Sequence, residues 1–194
     1  MERPRKYERD AVLTRANAVT GARLLLSLNT IKDLTREKKP TWKTLVKHVA
    51  ASVGDHVDGR FAREDGSTES GEFLDPLVDK IQIIGQLEAL AKNDRVSRLP
   101  VLIIETREAV ATWRRVKLKK MGFSLPSKPL GKKKTVAEQV AIGIALTPGL
   151  GERKLLVNAS LWIAAGLAVV SGIDLLAEEV SLRRALQTQP NVKA

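Results

Sequence analysis

Four aspartates near the middle of the chain have the residue type and spacing to bind cations. They are Asp55, Asp58, Asp75 and Asp79, so the members of each pair lie three or four positions apart. Residues at that spacing are neighbours on one helix face, which predicts two helical segments that each present two carboxylates. Such a concentration of negative charge is costly unless hard divalent cations neutralise it. Two facing pairs therefore predict a two-metal clamp suited to phosphoryl chemistry.

The distribution of charge also indicates an enzyme that handles phosphates. The net charge is +11, yet residues 55–79 hold eight acids and two arginines, whereas residues 107–134 hold ten Lys or Arg residues and one acid. A basic chain raises the possibility of a nucleic-acid partner. Only one Tyr, three Trp and three Phe are available for base stacking, so we expect none. The absence of cysteine and the presence of only two histidines argue against disulfides and a zinc site.

Apolar periodicity and helix breakers predict an all-α fold in a single domain that covers residues 1–194. No cleavable signal sequence or internal repeat is evident. We expect six helices, at residues 10–35, 41–63, 70–92, 96–121, 134–146 and 152–180.

Hydropathy alone predicts one membrane span. A spanning helix needs about 20 mostly apolar residues, and only residues 155–173 supply a charge-free stretch of that order. The first two helices are unusually polar, because the first carries Lys32 and Asp33 and the second carries Lys43 and Lys47.

The aspartate motif resembles the signature of the CDP-alcohol phosphatidyltransferase family, D-x-x-D-G-x-x-A-R followed by G-x-x-x-D-x-x-x-D. The remaining fixed letters are present as Gly59, Ala62, Arg63 and Gly71. The gap between Arg63 and Gly71 is one residue shorter than is usual in the family, so we expect an altered connecting loop. The resemblance covers nearly the whole chain and implies a transmembrane bundle of six helices, a multi-pass protein with its active site facing the cytoplasm, in the inner membrane if bacterial. It also implies a homodimer.

The same resemblance implies roles for individual residues. Two Mg²⁺ or Mn²⁺ ions are expected on the four aspartates, and Asp79 is also expected to be the general base. The first helix contains Asn17-x-x-Thr20-x-x-Arg23, which matches a family pattern except that Ala16 replaces a proline. The residues expected to bind CDP-diacylglycerol are Asn17, Thr20, Asp58, Gly59, Ala62, Arg63 and Gly71.

The basic segment resembles the branch of the family that uses sn-glycerol 3-phosphate as its acceptor. Arg107-Glu108 is followed by Gly131-Lys132-x-Lys134-Thr135, and Arg107, Lys132 and Lys134 are expected to bind the acceptor phosphate. The implied reaction transfers a phosphatidyl group from CDP-diacylglycerol to sn-glycerol 3-phosphate and releases CMP. Two alternatives stay open: another acceptor, such as inositol phosphate or phosphatidylglycerol, or a solubilised or degenerate relative without turnover.

Overall fold

A computed structural model describes residues 14–37, 39–65, 69–120 and 129–188. Within those ranges the chain forms six α-helices and no β-strand, which confirms the predicted all-α class. The helices are α1 (Arg15–Glu37), α2 (Trp42–Asp65), α3 (Glu69–Lys92), α4 (Arg98–Lys120), α5 (Pro129–Leu146) and α6 (Lys154–Thr188).

Helix boundaries differ from the predicted ones where local chemistry extends a helix. Helix α5 begins at Pro129 rather than at residue 134, because a proline at the first helical position needs no backbone N–H donor. Helix α6 continues to Thr188 rather than ending at residue 180, since no proline or glycine follows until Pro190. The predicted start of the first helix, residues 10–13, lies outside the described residues. The described part of α1 starts after Thr14, whose Oγ1 accepts a hydrogen bond from the Asn17 backbone N–H at 3.1 Å.

The helices pack as two groups of three that share one core. Helix α1 packs against α2 and α3, and α6 packs against α4 and α5, while α5 joins the groups by contacting α2 and α3. Large apolar side chains from both groups are fully buried in the core. They include Leu87, Leu90, Ile104, Ile142, Leu146 and Leu161.

Gly85 allows α1 and α3 to approach closely, because a Cβ there would overlap the Ile31 side chain.

Side chains tie together the end of the bundle that carries the α1–α2, α3–α4 and α5–α6 connections. The Asn93 amide donates to the Leu34 carbonyl of α1 at 2.9 Å. The Ser97 backbone N–H donates to Asn158 Oδ1 of α6 at 2.8 Å, and Asp94 turns the chain with a φ of 53°. The end of α2 at Asp65 and the start of α3 at Glu69 lie at the opposite end. That end therefore carries the predicted aspartate motif.

Polar residues lie inside the bundle and many large apolar residues lie on its outside. Gln82, Gln86 and Glu138 are fully buried, whereas Trp162 and Ile163 of α6 are 46% and 64% exposed. Among the described residues, one helix is long and apolar enough to cross a membrane. Its candidate span is Lys154–Ala177, with a mean hydropathy of 1.9. That helix contains the single span expected from hydropathy.

The polar character of the first two helices is partly offset by pairing. Lys47 Nζ of α2 lies 2.6 Å from Asp33 Oδ2 of α1, and both side chains are less than one-fifth exposed. Two of the four charges singled out in these helices therefore neutralise each other. Lys32 and Lys43 are exposed close to the α1–α2 connection.

Candidate functional site

Helix α1 contacts each of the three motif aspartates whose side chains the structure describes. Thr20 Oγ1 donates a hydrogen bond to Asp75 Oδ1 at 2.8 Å. One helical turn later, the Arg23 guanidinium bonds Asp79 Oδ1 and lies 3.2 Å from Asp55 Oδ1. Because residues three apart share a helix face, a single face of α1 binds carboxylates from both α2 and α3.

The Arg23 side chain is enclosed between α1, α2 and α3. Its relative exposure is 1%, and its Nε–H donates to the Ala51 carbonyl at 3.1 Å. Gly54 provides the room for it, because a Cβ built there would lie 2.8 Å from Arg23 Cγ. The position of the guanidinium therefore depends on the absence of a side chain at Gly54.

The aspartates have the oxygen donors that Mg²⁺ and Mn²⁺ prefer. The carboxylate oxygens of the motif therefore fit a divalent ion. Asp55 and Asp79 both contact Nη2 of Arg23, so a cationic group already lies between these two carboxylates. In the part of the chain that the structure describes, no three carboxylate, histidine or cysteine side chains are grouped to hold a metal ion.

Most of the other predicted site residues lie where the structure describes the helix but not the side chains. Asp58 lies in α2, but its side chain is outside the described ones, so the fourth metal ligand stays a prediction. Residues 66–68 of the shortened gap, between the end of α2 and the start of α3, are also outside the described residues. Asn17 is half-buried on α1, one turn before Thr20. Four other predicted ligands of CDP-diacylglycerol lie in α2 or α3 at positions whose surroundings are not described, namely Gly59, Ala62, Arg63 and Gly71.

A cavity of about 190 Å³ between α3, α4 and α5 brings Asp79 together with the basic residues predicted to bind the acceptor. Arg107 of α4 and both Lys132 and Lys134 of α5 line it. Lys80, Glu108 and Arg115 line it as well. The cavity therefore places one carboxylate of the aspartate motif beside five cationic side chains.

The cationic residues of the cavity differ in burial and in partners. Arg107 Nη1 donates to Glu108 Oε1 at 2.6 Å, and Lys134 Nζ bonds the same oxygen. Lys134 also lies 3.0 Å from Glu138 Oε2, and its side chain is only 4% exposed. Lys132 is exposed at the cavity wall. Lys134 is thus a buried part of an ion-pair network, whereas Lys132 is open to a ligand.

Sequence reasoning did not assign site roles to Lys80, Arg115 and Glu138. Arg115 lies seven positions after Glu108, and Glu138 lies four after Lys134, so helical spacing contained a signal for both. Lys80 directly follows Asp79, and its ammonium donates to Thr112 Oγ1 of α4. Nothing in the local spacing indicates that contact between helices.

A second polar cluster is formed by His48, Gln86 and the backbone carbonyl of Gln139. His48 is 2% exposed, with Nδ1 2.8 Å from Gln86 Oε1 and Nε2 3.1 Å from the Gln139 carbonyl. The cluster holds α2 against α3 and α5.

Comparison with known proteins gives one consistent result. A sequence model of the family described as CDP-alcohol phosphatidyltransferase matches residues 13–170. A Bacillus subtilis protein named CDP-diacylglycerol–glycerol-3-phosphate 3-phosphatidyltransferase is 34% identical over 128 residues, and the alignment covers 64% of this chain and 66% of that protein, just under two-thirds of its length. A Rickettsia felis protein of the same name is 33% identical over 129 residues, with 64% and 71% covered.

A third relative, from Mycobacterium tuberculosis, is named a probable phosphatidylglycerophosphate synthase. It is 33% identical over 128 residues, which cover 66% of this chain and 61% of that protein. The family model spans far more than half of the chain and includes the aspartate motif and the cationic cavity. The chain therefore belongs to the CDP-alcohol phosphatidyltransferase family.

Proposed function

We propose that this protein is a phosphatidylglycerophosphate synthase, which transfers the phosphatidyl group of CDP-diacylglycerol to sn-glycerol 3-phosphate. The products are phosphatidylglycerophosphate and CMP. The observation that carries the proposal is the cavity in which Asp79 meets Arg107, Lys132 and Lys134. The names of the relatives support the same pair of substrates.

The cationic side of the cavity suits a small phosphorylated acceptor. A guanidinium offers paired hydrogen bonds to phosphate and an ammonium offers a compact charge. Arg107 and Lys132 would bind the phosphate directly, because Lys132 is exposed at the wall and Arg107 lines it. Lys134 adds positive charge from a fixed position between Glu108 and Glu138. An alcohol without a phosphate would bring no negative charge to this side of the cavity.

Asp79 is the proposed general base. Its carboxylate lines the same cavity, so it would take the proton of the acceptor hydroxyl while the acceptor phosphate is held by the cations. The hydroxyl oxygen forms a bond to the phosphorus that carries diacylglycerol. The bond from that phosphorus to the CMP oxygen breaks, and CMP departs with the electron pair.

The four aspartates Asp55, Asp58, Asp75 and Asp79 would hold two Mg²⁺ or Mn²⁺ ions. When bound, such ions neutralise the pyrophosphate and stabilise the charge that develops on CMP. Thr20 would orient Asp75, to which it donates a hydrogen bond, and it would lie close to the nucleotide diphosphate. The residues proposed to bind CDP-diacylglycerol are Asn17, Thr20, Asp58, Gly59, Ala62, Arg63 and Gly71.

We also propose that the six helices form a multi-pass membrane bundle with its active site facing the cytoplasm. The buried glutamines and the apolar outer surface support this, since lipid favours apolar exteriors and polar groups that face the bundle interior. Arg107, Arg115 and the lysines at positions 132 and 134 line the cavity, and this positive charge supports a cytoplasmic orientation. The family resemblance supports a homodimer, and light scattering of the detergent-solubilised protein would test it.

A CMP-release assay in detergent micelles tests the proposed reaction. Purified protein is supplied with CDP-diacylglycerol and Mg²⁺, and with sn-glycerol 3-phosphate, inositol phosphate, phosphatidylglycerol or glycerol as acceptor. We expect CMP release with sn-glycerol 3-phosphate and little with glycerol. A preference for inositol phosphate or phosphatidylglycerol would show that this protein uses a different acceptor from the one proposed. Absence of CMP with every acceptor would favour a non-catalytic relative.

A further inference from the structure

Arg23 occupies an unusual place for a positively charged side chain in an enzyme that binds metal ions. Its guanidinium is buried at 1% exposure and contacts Asp55 and Asp79, the first and last aspartates of the motif. These are two of the residues proposed to bind the divalent ions. An arginine and a metal ion would therefore interact with the same pair of carboxylates.

The contact has an electrostatic reason. Two carboxylates that converge on one point repel each other unless a cation lies between them. Arginine stays charged in proteins, and its stem is anchored by the hydrogen bond from Nε–H to the Ala51 carbonyl and by packing against Gly54. The guanidinium is thus a permanent charge that helix α1 holds in the aspartate motif.

We propose that Arg23 is an internal counter-cation of the metal site. In the metal-free protein its guanidinium offsets the charge of Asp55 and Asp79 and so reduces the repulsion between their carboxylates. When a divalent ion enters, the guanidinium competes with it for carboxylate charge and thereby limits metal affinity. The inference rests on the metal role in the proposed function, and it makes Arg23 a positioning residue.

The sign of the effect on metal binding separates this role from a purely structural one. If Arg23 is a counter-cation, Arg23→Gln leaves a more negative site and should bind Mn²⁺ more tightly. Coulomb's law for a unit charge about 6 Å from a divalent ion in a water-like medium gives an effect of about tenfold in the dissociation constant. If Arg23 is only a strut, its loss would disorder the aspartates and weaken Mn²⁺ binding.

The experiment measures Mn²⁺ binding by the full chain in detergent micelles, with free Mn²⁺ followed by electron paramagnetic resonance. Wild type, Arg23→Gln and the matched control Arg98→Gln are compared. Arg98, the first residue of α4, is 49% exposed and pairs with Glu88, which lies far along α3 from the motif. Its replacement should therefore not alter Mn²⁺ affinity. We expect about tenfold tighter binding in Arg23→Gln alone. Unchanged or weaker binding in a folded Arg23→Gln variant would overturn the inference.

Gly54→Ala is a second variant that keeps every charge. Alanine favours the helix, but its Cβ would lie 2.8 Å from Arg23 Cγ and displace the arginine stem. We expect tighter Mn²⁺ binding here also, and this variant decides the question if Arg23→Gln does not fold. Wild-type or weaker affinity in Gly54→Ala would contradict the inference. Failure of the wild-type protein to bind Mn²⁺ would instead contradict the proposed metal role itself.

Discussion

Replacing Lys134 with methionine should reduce both the stability of the protein and its affinity for the acceptor. The Lys134 side chain is 4% exposed, bonds Glu108 Oε1 and lies 3.0 Å from Glu138 Oε2. Glu138 is fully buried, so the substitution leaves a buried carboxylate without its cation. Removing one partner of a buried ion pair typically costs about 3–5 kcal/mol. Because Glu108 keeps the hydrogen bond from Arg107, we expect a loss of about 3 kcal/mol, at the lower end of that range.

A double variant separates the two effects of Lys134. Glu138→Gln removes the carboxylate charge that the single substitution leaves unpaired, so Lys134→Met/Glu138→Gln should recover about half of the lost stability. The KM for sn-glycerol 3-phosphate should stay raised about tenfold in both variants, because a charge near the acceptor phosphate is missing in each. Thermal unfolding in detergent gives the stability, and CMP release at varied acceptor concentration gives the KM. A double variant no more stable than Lys134→Met would refute the ion-pair reasoning, and a normal KM in the double variant would refute the acceptor role.

The remaining predictions concern the cavity wall and the aspartates. Lys132→Gln should raise the acceptor KM about fivefold with little change in stability, since the residue is exposed. The control Lys133→Gln changes a neighbouring lysine that is also exposed but does not line the cavity, so it should match wild type. Equal effects of the two substitutions on the acceptor KM would contradict the role of Lys132 in acceptor binding. Asp75→Asn should abolish Mg²⁺- or Mn²⁺-dependent CMP release, and full activity in this variant or in the presence of a chelator would rule out its metal role. Asp79→Asn should lower kcat by about 10²-fold or more while CDP-diacylglycerol still binds; loss of CDP-diacylglycerol binding, measured directly in micelles, would make Asp79 primarily a ligand.

The sequence predicted the helices well because helix periodicity is local. Spacing of three and four residues on a helix is enough to predict that Asp55 and Asp58, or Asp75 and Asp79, share a face. The helix bounds were missed where single residues decide them, as at Pro129, which begins α5 instead of preceding it. These differences do not alter the predicted order of helices.

The arrangement of charges around the site was less predictable because it depends on packing between helices. We expected Arg107 and Lys134 to lie near one phosphate. The structure shows that both also bond Glu108, and the Lys134 bond forms only because α5 lies close to α4. The Arg23 contact with Asp79 likewise joins residues far apart in the chain. The buried position of Arg23 also requires the space left by Gly54, and the sequence does not show that these two residues are in contact.

Membrane placement shows a different limit of sequence analysis. Average hydropathy treats a helix as uniform, so the buried Gln82 and Gln86 lower the apolar score of α3 although neither is exposed on the outer surface. The Lys47–Asp33 pair similarly makes α1 and α2 appear more charged than their exterior is. Which face of each helix carries its polar groups becomes apparent only in three dimensions.

Identification of the lipid product tests the proposed reaction most directly. The protein is incubated in detergent micelles with CDP-diacylglycerol, sn-glycerol 3-phosphate and Mg²⁺, and the extracted lipids are analysed by mass spectrometry beside an Asp79→Asn control. The proposed function predicts phosphatidylglycerophosphate in amounts equal to the CMP released, with a large decrease in the control. Release of CMP without this lipid, or equal amounts of the lipid from the control, would contradict it.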